Sequence, residues 1–291
     1  MFRFRLLKPL SLVLILIPLS TMAQRDFSSV EIKSQKVADG VHMLTGAGGN
    51  IGVSVGEDGV FIIDDQFAPL TDKILAKLTE LSDQPVRFVI NTHHHGDHSG
   101  GNENLAKTGT VVVAHDNVHK RLNDRHEKGE LGRHAVPVVT FNDEASLRLN
   151  GDNVRAIHVA HAHTDGDAIV HFEKANVLHM GDTFFHGLYP FIDVNSGGGI
   201  DGVIASADKA LSLADEKTKI IPGHGELTDR AGLQTYRDIL IGIRANVKTL
   251  KDAGKTLQET IDAKPTAQFD AKVNVNFISP ERVITAVYNS L

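Results

Sequence analysis

Residues 86–98 read Val-Arg-Phe-Val-Ile-Asn-Thr-His-His-His-Gly-Asp-His. Val86 to Ile90 is an apolar, β-branched run of the kind that forms a buried strand. Ser99-Gly100-Gly101-Asn102, just beyond, reads as a turn into a short helix. His93, His95, Asp97 and His98 therefore sit on a strand-to-helix loop, where a rigid scaffold presents reactive groups to solvent. His93 and His95 are two apart, so in extended backbone they point the same way and can share one ion. Asp97 and His98 are adjacent and diverge, which suits a second ion beside the first. Imidazole and carboxylate ligands in a chain without cysteine indicate zinc first, iron or manganese second. With 16 histidines in 291 residues, a chance cluster or a solvated basic loop is the bland alternative. Four ligand-type side chains spaced at the end of a strand favour the metal.

The first residues are read as no part of the fold. Arg3, Arg5 and Lys8 make a basic start, Leu10 to Leu19 an apolar run, and Thr21-Met22-Ala23 a small-residue cleavage site. This is the pattern of a secretory signal peptide, residues 1–23, cut between Ala23 and Gln24. The apolar run is short for a membrane span, and without cysteine a lipid anchor of the cysteine type is excluded. The expectation is an exported protein with no stable membrane insertion after cleavage. Residues 24–291 suffice for one large domain with its own core. Removing three basic residues from the 30 leaves 27 against 36 acidic ones, net −9 with His neutral. That balance argues against nucleic acid or an anionic membrane surface as partner; a small-molecule substrate is the partner expected from the metal-site reading. The absence of cysteine also excludes disulfides, a thiolate ligand and a cysteine nucleophile. Oligomeric state is not readable.

Residues 29–46 read as two short strands and 51–55 as a third. Gly56-Glu57-Asp58-Gly59 is a hairpin turn before Val60 to Ile63. Asp64 and Asp65 end that strand, and Asp64 is a candidate to support the ligating histidines from behind. Leu70 to Leu81 has helical periodicity, and Thr110 to Ala114 is a strand. His115 starts a helix to about Leu122. Residues 123–136 are polar and read as a surface loop. Val138 to Leu149 alternates around Asn142-Asp143 as a hairpin. Strands over 154–159, 168–172 and 176–180 lead to His161 and His163, then to Gly181-Asp182-Thr183. The loop Phe184 to Gly199 is polar and aromatic. Its His186, Tyr189 and Asn195 are pocket candidates, and Phe184, Phe185 and Phe191 could wall a ligand. Ile200 to Leu213 is a helix, 219–221 a strand ending at Pro222-Gly223-His224-Gly225, and 229–253 a long helix whose apolar stripe is core packing. Helices near 257–261 and 280–288 close the chain. The order of elements predicts an α/β domain with two sheets face to face and helices outside.

Four strand ends thus carry candidate ligands: 93–98, His163, Asp182 and His224. The series H-x-H-x-D-H, H-T-x-G-D, G-D-T and P-G-H-G, in that order across residues 40–225, resembles the metallo-β-lactamase superfamily in the variant typified by glyoxalase II. The resemblance implies the four-layer αββα sandwich of that fold. It implies one metal held by His93, His95 and His163, a second by Asp97, His98 and His224, and Asp182 bridging the two zinc ions. It also favours His163 over His161, and together with the leader it implies a bacterial periplasm. Two divalent ions about 3.5–4 Å apart share a water and lower its pKa toward roughly 7. The resulting metal-bridging hydroxide attacks a carbonyl, and Asp97 acts as the catalytic carboxylate that orients it. Family members with Cys or Ser at the position of Asp182 are not direct models. No equivalent of the glutathione-binding helical domain of glyoxalase II is evident after His224.

The leading reading is a dinuclear zinc-dependent hydrolase that opens a cyclic amide or ester, a β-lactam or a lactone. A thioester hydrolase of the glyoxalase II type, a mononuclear iron persulfide dioxygenase and a non-catalytic metal- or ligand-binding protein are the alternatives. Substrate choice is expected in the loops 46–50, 123–136 and 184–199.

Overall fold

The computed structural model describes residues 26–291. The signal segment 1–23 and its cleavage site lie outside the described residues. The first sheet is laid down in chain order. β1 (Lys33–Ala38), β2 (Val41–Thr45), β3 (Ile51–Gly56) and β4 (Gly59–Ile63) form an antiparallel meander. β5 (Val86–Asn91), β6 (Val111–His115) and β7 (Val139–Phe141) are then added in parallel. The crossovers carry α1 (Thr71–Thr79), α2 (Gly96–Ser99), α3 (Asn102–Lys107) and α4 (Asp116–Glu127).

The second sheet holds β8 (Glu144–Leu149), β9 (Asp152–His158), β10 (Ala168–Phe172), β11 (Val177–His179), β12 (Lys219–Ile221) and β13 (Thr228–Asp229). Its one parallel pair, β11 with β12, is joined through α5 (Ile200–Leu213). The chain ends with α6 (Arg230–Asp252), α7 (Leu257–Asp262) and α8 (Pro280–Ser290).

The period-2 alternation of each strand divides the apolar residues among three layers. Phe61, Ile63, Ile90 and Val113 meet Val170, Phe172 and Ile221 between the sheets. Phe61 and Phe172 stack there with ring centres 6.0 Å apart. Val60, Ile62 and Val89 face outward under Leu70, Ile74 and Leu78. On the far side Ile169, Leu178 and Ile220 are covered by Val203, Leu240, Ile243, Val283 and Val287. The result is the αββα sandwich that the element order implied. The long helix begins where Asp229 accepts hydrogen bonds from the Ala231 and Gly232 amides. It stops at Gly254, whose φ of +77° an L side chain rarely adopts.

Two local expectations are corrected. Asn142-Asp143 does not turn a hairpin: β7 pairs with β6 and β8 with β9, in different sheets, so the chain crosses the sandwich there. Alternation reports that one face of a strand is buried, and both sheets bury an inner face. The tight hairpin lies between β8 and β9 instead, at Asn150-Gly151, both with positive φ. The polar stretch from residue 123 also begins as helix. α4 continues to Glu127, with the Asn123 side-chain amide donating to the Glu127 carboxylate one turn on (2.8 Å).

Candidate metal centre

The strands β4, β5, β11 and β12 end along one edge of the sandwich, and with the loop after β9 they deliver the candidate ligands to one place. His93 to His98 follow β5, His163 follows β9, Asp182 follows β11 and His224 follows β12. Asp182 is buried at the centre. Its Oδ2 faces His93 Nε2 at 3.8 Å and His163 Nε2 at 3.6 Å. Its Oδ1 faces His98 Nε2 at 3.0 Å and His224 Nε2 at 3.4 Å. Asp97 Oδ2 closes the second group, 3.3 Å from His224 Nε2 and 3.8 Å from His98 Nε2. The seven side chains thus form two donor groups, His93/His95/His163 and Asp97/His98/His224, with one carboxylate between them.

The hydrogen bonds behind the rings fix which nitrogen is free. The Phe191 carbonyl can only accept, so His163 Nδ1 donates to it (2.7 Å) and Nε2 keeps its lone pair. His98 Nδ1 donates to Asp64 Oδ2 (2.7 Å). Thr92 Oγ1 gives its proton to Asp64 Oδ2 (2.8 Å) and so accepts from His93 Nδ1 (3.0 Å). His95 is turned the other way: Nε2 donates to Asp193 Oδ2 (3.1 Å), which leaves Nδ1 toward the centre. His95 Nδ1 and His163 Nε2 then face each other at 2.9 Å, an approach that a shared proton or a metal ion against both makes favourable. His93 Nε2, His98 Nε2 and Asp182 Oδ1 are buried without a hydrogen-bond partner. Buried polar atoms left this way are costly unless something else satisfies them. The donor set fits divalent ions of the zinc type.

The electrostatics agree. Burial opposes a charge on His98, but the carboxylates of Asp182, Asp64 and Asp97 outweigh it and hold its pKa well above the usual value. Burial likewise opposes charging His224, and Asp182 and Asp97 still raise it to about 9. Burial pushes His93 well down and His163 down to about 4, which keeps both neutral as ligands must be. The Asp97–His98–His224 side therefore demands positive charge.

The loop 46–50, expected as a substrate flap, is a brace. The Gly49 amide donates to the Asp97 carbonyl (3.1 Å), and the Asn50 amide to the Gly223 carbonyl (2.7 Å). The Asn50 side chain donates to the carbonyls of Pro222 and Gly225. A Cβ at Gly49 would run into the His98 ring, and one at Gly223 into Asp182 Oδ1. Asp64 adopts a positive φ of 64°, held by the bonds its carboxylate takes from the Thr92 amide, the Thr92 hydroxyl and His98.

The remaining candidates separate. His94 does not point at the Asp182 centre. Its ring lies against His95 (4.6 Å between centres), and burial drives its pKa down to about 3. His161 is exposed and contacts the Gly197 carbonyl. The His186 amide donates to the His224 carbonyl (2.9 Å), but its side chain does not line the cleft: Nδ1 meets the Glu226 carbonyl beside a separate small cavity. Tyr189 is buried, its hydroxyl donating to Asp270 Oδ1 (2.6 Å). Asn195 borders a second cavity of ≈ 330 Å³ next to the centre. The cleft over the donors, ≈ 450 Å³, is lined by Phe185, Phe191, Phe277, Ile278 and Arg282. Phe184 is turned inward onto Tyr236. Asp193, Phe277 and Arg282 were not among the sequence candidates. Their places depend on long-range packing, and no local motif marks them.

Residues 44–224 match the family model described as the metallo-beta-lactamase superfamily. A hydroxyacylglutathione hydrolase from Prochlorococcus marinus is 29% identical over 210 residues, 68% of this chain and 74% of that protein. Another, from Methylococcus capsulatus, is 39% identical over 101 residues, 33% of each chain. Among solved structures, a metallo-beta-lactamase from Pontibacter korlensis superposes with a TM-score of 0.63 at 17% identity, over 72% of this chain and 99% of that one. A double mutant of the sec-alkyl sulfatase PisA1 gives 0.73 at 16% identity, over 89% of this chain and 50% of that one. At these identities the structural matches establish the fold.

Proposed function

The chain belongs to the metallo-beta-lactamase superfamily, and from that membership we propose that it is an exported hydrolase with two zinc ions that cleaves a carbonyl bond in a small substrate. The observation that carries the proposal is the disposition of Asp182, one carboxylate oxygen toward each donor group. His93, His95 and His163 would hold one ion, Asp97, His98 and His224 the other, and Asp182 both. Two such ions supply an acidified water and polarise the scissile carbonyl.

The chain's own groups do the rest. Asp97 Oδ2 stands at the rim of the donor set, 28% exposed, where it can accept a proton from an attacking water and orient it. Asp64, Asp193 and the Phe191 carbonyl fix the ring orientations of His98, His95 and His163. Phe185, Phe191 and Phe277 give the cleft an apolar wall against which the non-reacting part of a substrate can lie.

Within that class a cyclic amide or ester suits the open cleft. A thioester is the second reading, favoured by the relatives named as hydroxyacylglutathione hydrolases. The test is metal analysis followed by a panel of a chromogenic cephalosporin, an aromatic lactone and a hydroxyacyl thioester, each with and without a strong chelator. We expect two zinc ions per chain and chelator-sensitive turnover of at least one member. A protein that binds two metals and turns over none would sink the hydrolase reading, and a single iron without zinc would favour redox chemistry. Recovery of the protein in the periplasmic fraction checks export.

A further inference from the structure

The cleft above the metal donors is bounded on its outer side by a segment that no ligand motif includes. Residues 277–282 run from the mouth into the first turn of α8 and contribute Phe277, Ile278 and Arg282. Phe277 is a large apolar side chain 46% exposed. Its ring lies 5.2 Å from His224 and 6.1 Å from Phe185, so it continues an aromatic wall that begins at a metal donor. Arg282 stands beside it. Its backbone amide bonds to the capping Ser279, and its guanidinium lies over the Phe191 ring, 5.5 Å from the centre.

Three facts about Arg282 converge. It is the one Lys or Arg among the residues lining the cleft. It also lines the second cavity, with Asn195, Thr285, Asn289 and the acidic Asp193 and Glu281, so it sits where the two spaces meet and is the one Lys or Arg in either. Among the described residues, no carboxylate lies within ion-pair distance of it, as for Arg87, Arg133, Arg148 and Arg230, whereas Arg121, Arg125, Arg155, Arg237 and Arg244 are paired. Its place over the Phe191 ring is a cation–π contact that leaves its N–H donors free. A planar fork of five donors, held at the lip of a reaction cleft and unneutralised, is a receptor for a planar oxyanion.

We propose that Arg282 is the specificity-determining residue of this centre, and that it selects substrates bearing a free carboxylate next to an apolar group. This rests on the proposed carbonyl-cleaving function. The apolar part lies against Phe277 and Phe185, the carboxylate meets Arg282, and the scissile carbonyl reaches the donors around Asp182. Arg282 does not touch the reacting atoms, so its loss changes substrate capture and choice rather than the chemical step.

The test compares the wild-type chain, Arg282→Met and Arg282→Lys, all supplied with zinc. The probes are two esters of similar length, mono-para-nitrophenyl glutarate and the uncharged para-nitrophenyl valerate. Arg282 is exposed, and the variants are expected to fold. In Arg282→Met we expect kcat/KM for the glutarate ester to fall about tenfold, mainly through KM, while the valerate ester stays within about twofold. Arg282→Lys retains part of the preference. Equal effects on both esters, or none, overturn the proposal. Calorimetric binding of phenylbutyrate provides a readout independent of turnover, with about tenfold weaker binding expected in Arg282→Met. If wild type hydrolyses neither ester, phenylbutyrate binding decides the role of Arg282, and the carbonyl-cleaving reading stands or falls on the cephalosporin, lactone and thioester panel. Unchanged phenylbutyrate affinity in Arg282→Met overturns the role of Arg282 whatever the turnover shows.

Discussion

At the scale of the residue, the site is decided by the nitrogen of each ring that faces away from the centre. His95 illustrates it. Asp193 accepts the hydrogen bond of Nε2–H and so leaves Nδ1 to the donor group, while burial-driven neutrality of His163 supplies the neighbouring lone pair. Removing Asp193 leaves the His95 ring free to turn. Asp193→Ala is expected to weaken metal affinity about 10- to 100-fold, the usual cost of losing a carboxylate behind a ligating histidine. Asp193→Asn, which keeps an acceptor oxygen, should recover most of it. Competition against a chromophoric chelator measures both, and equal affinity in wild type and Asp193→Ala would refute the role. The contrast in legibility has a physical cause. His93, His95, Asp97 and His98 are four donors within six residues at a strand end, and Asp64 follows four buried apolar residues, so short-range pattern exposes them. Asp193 meets its partner across 98 residues of chain. Arg282 reaches the cleft only because α8 packs Val283, Ile284 and Val287 onto the outer helical layer. Neither fact is written in local sequence.

At the scale of the element, the periodic strands and helices could be read almost to their ends, and what could not be read was which strand joins which sheet. The crossing after β7 shows why. Phe141 at the end of β7 packs edge-on against His115 at the end of β6, and His115 stacks on His158 at the end of β9 (3.7 Å, 7° between planes). These rings pin the two sheets together at the place where the chain passes between them. His115 also accepts the Asn117 amide at Nδ1 and so caps α4, a role that requires the neutral ring. Burial, and then the neighbouring His158, lower the His115 pKa. The unfolded chain therefore takes up this proton first as pH falls. Stability is fully present above the ordinary histidine value of about 6.5 and is lost as pH drops through the lower folded value. Replacing His115 with Asn keeps a capping acceptor and removes the titration. The loss of urea midpoint between neutral and mildly acidic pH should shrink in His115→Asn. An unchanged acid dependence would show that this ring pair is not a source of it.

At the scale of the whole molecule, the centre is a joint between the two halves of the sandwich. His93, His95, Asp97 and His98 belong to the first sheet's edge, and His163, Asp182 and His224 to the second's. Among these side chains, the carboxylates of Asp97 and Asp182 and buried ring nitrogens without a hydrogen-bond partner face one another across the sheets. Cations convert that arrangement from repulsive or unsatisfied to cohesive, and they bind the folded chain in preference to the unfolded one. Linkage then gives a stabilisation that grows with free metal, about 2.7 kcal/mol at a hundredfold excess over Kd. Chelation should therefore lower the melting temperature, and adding zinc back should restore it in a concentration-dependent way. Because the ions would span both halves, hydrogen exchange should rise on chelation at both groups of loops, 91–101 and 181–183 with 222–225. The cores between Phe61 and Phe172 and under α6 should stay protected. Each donor group draws side chains from both halves, so faster exchange on one side alone would refute ions held between them, and a melting temperature indifferent to chelator would remove the metal from the stability of the fold altogether.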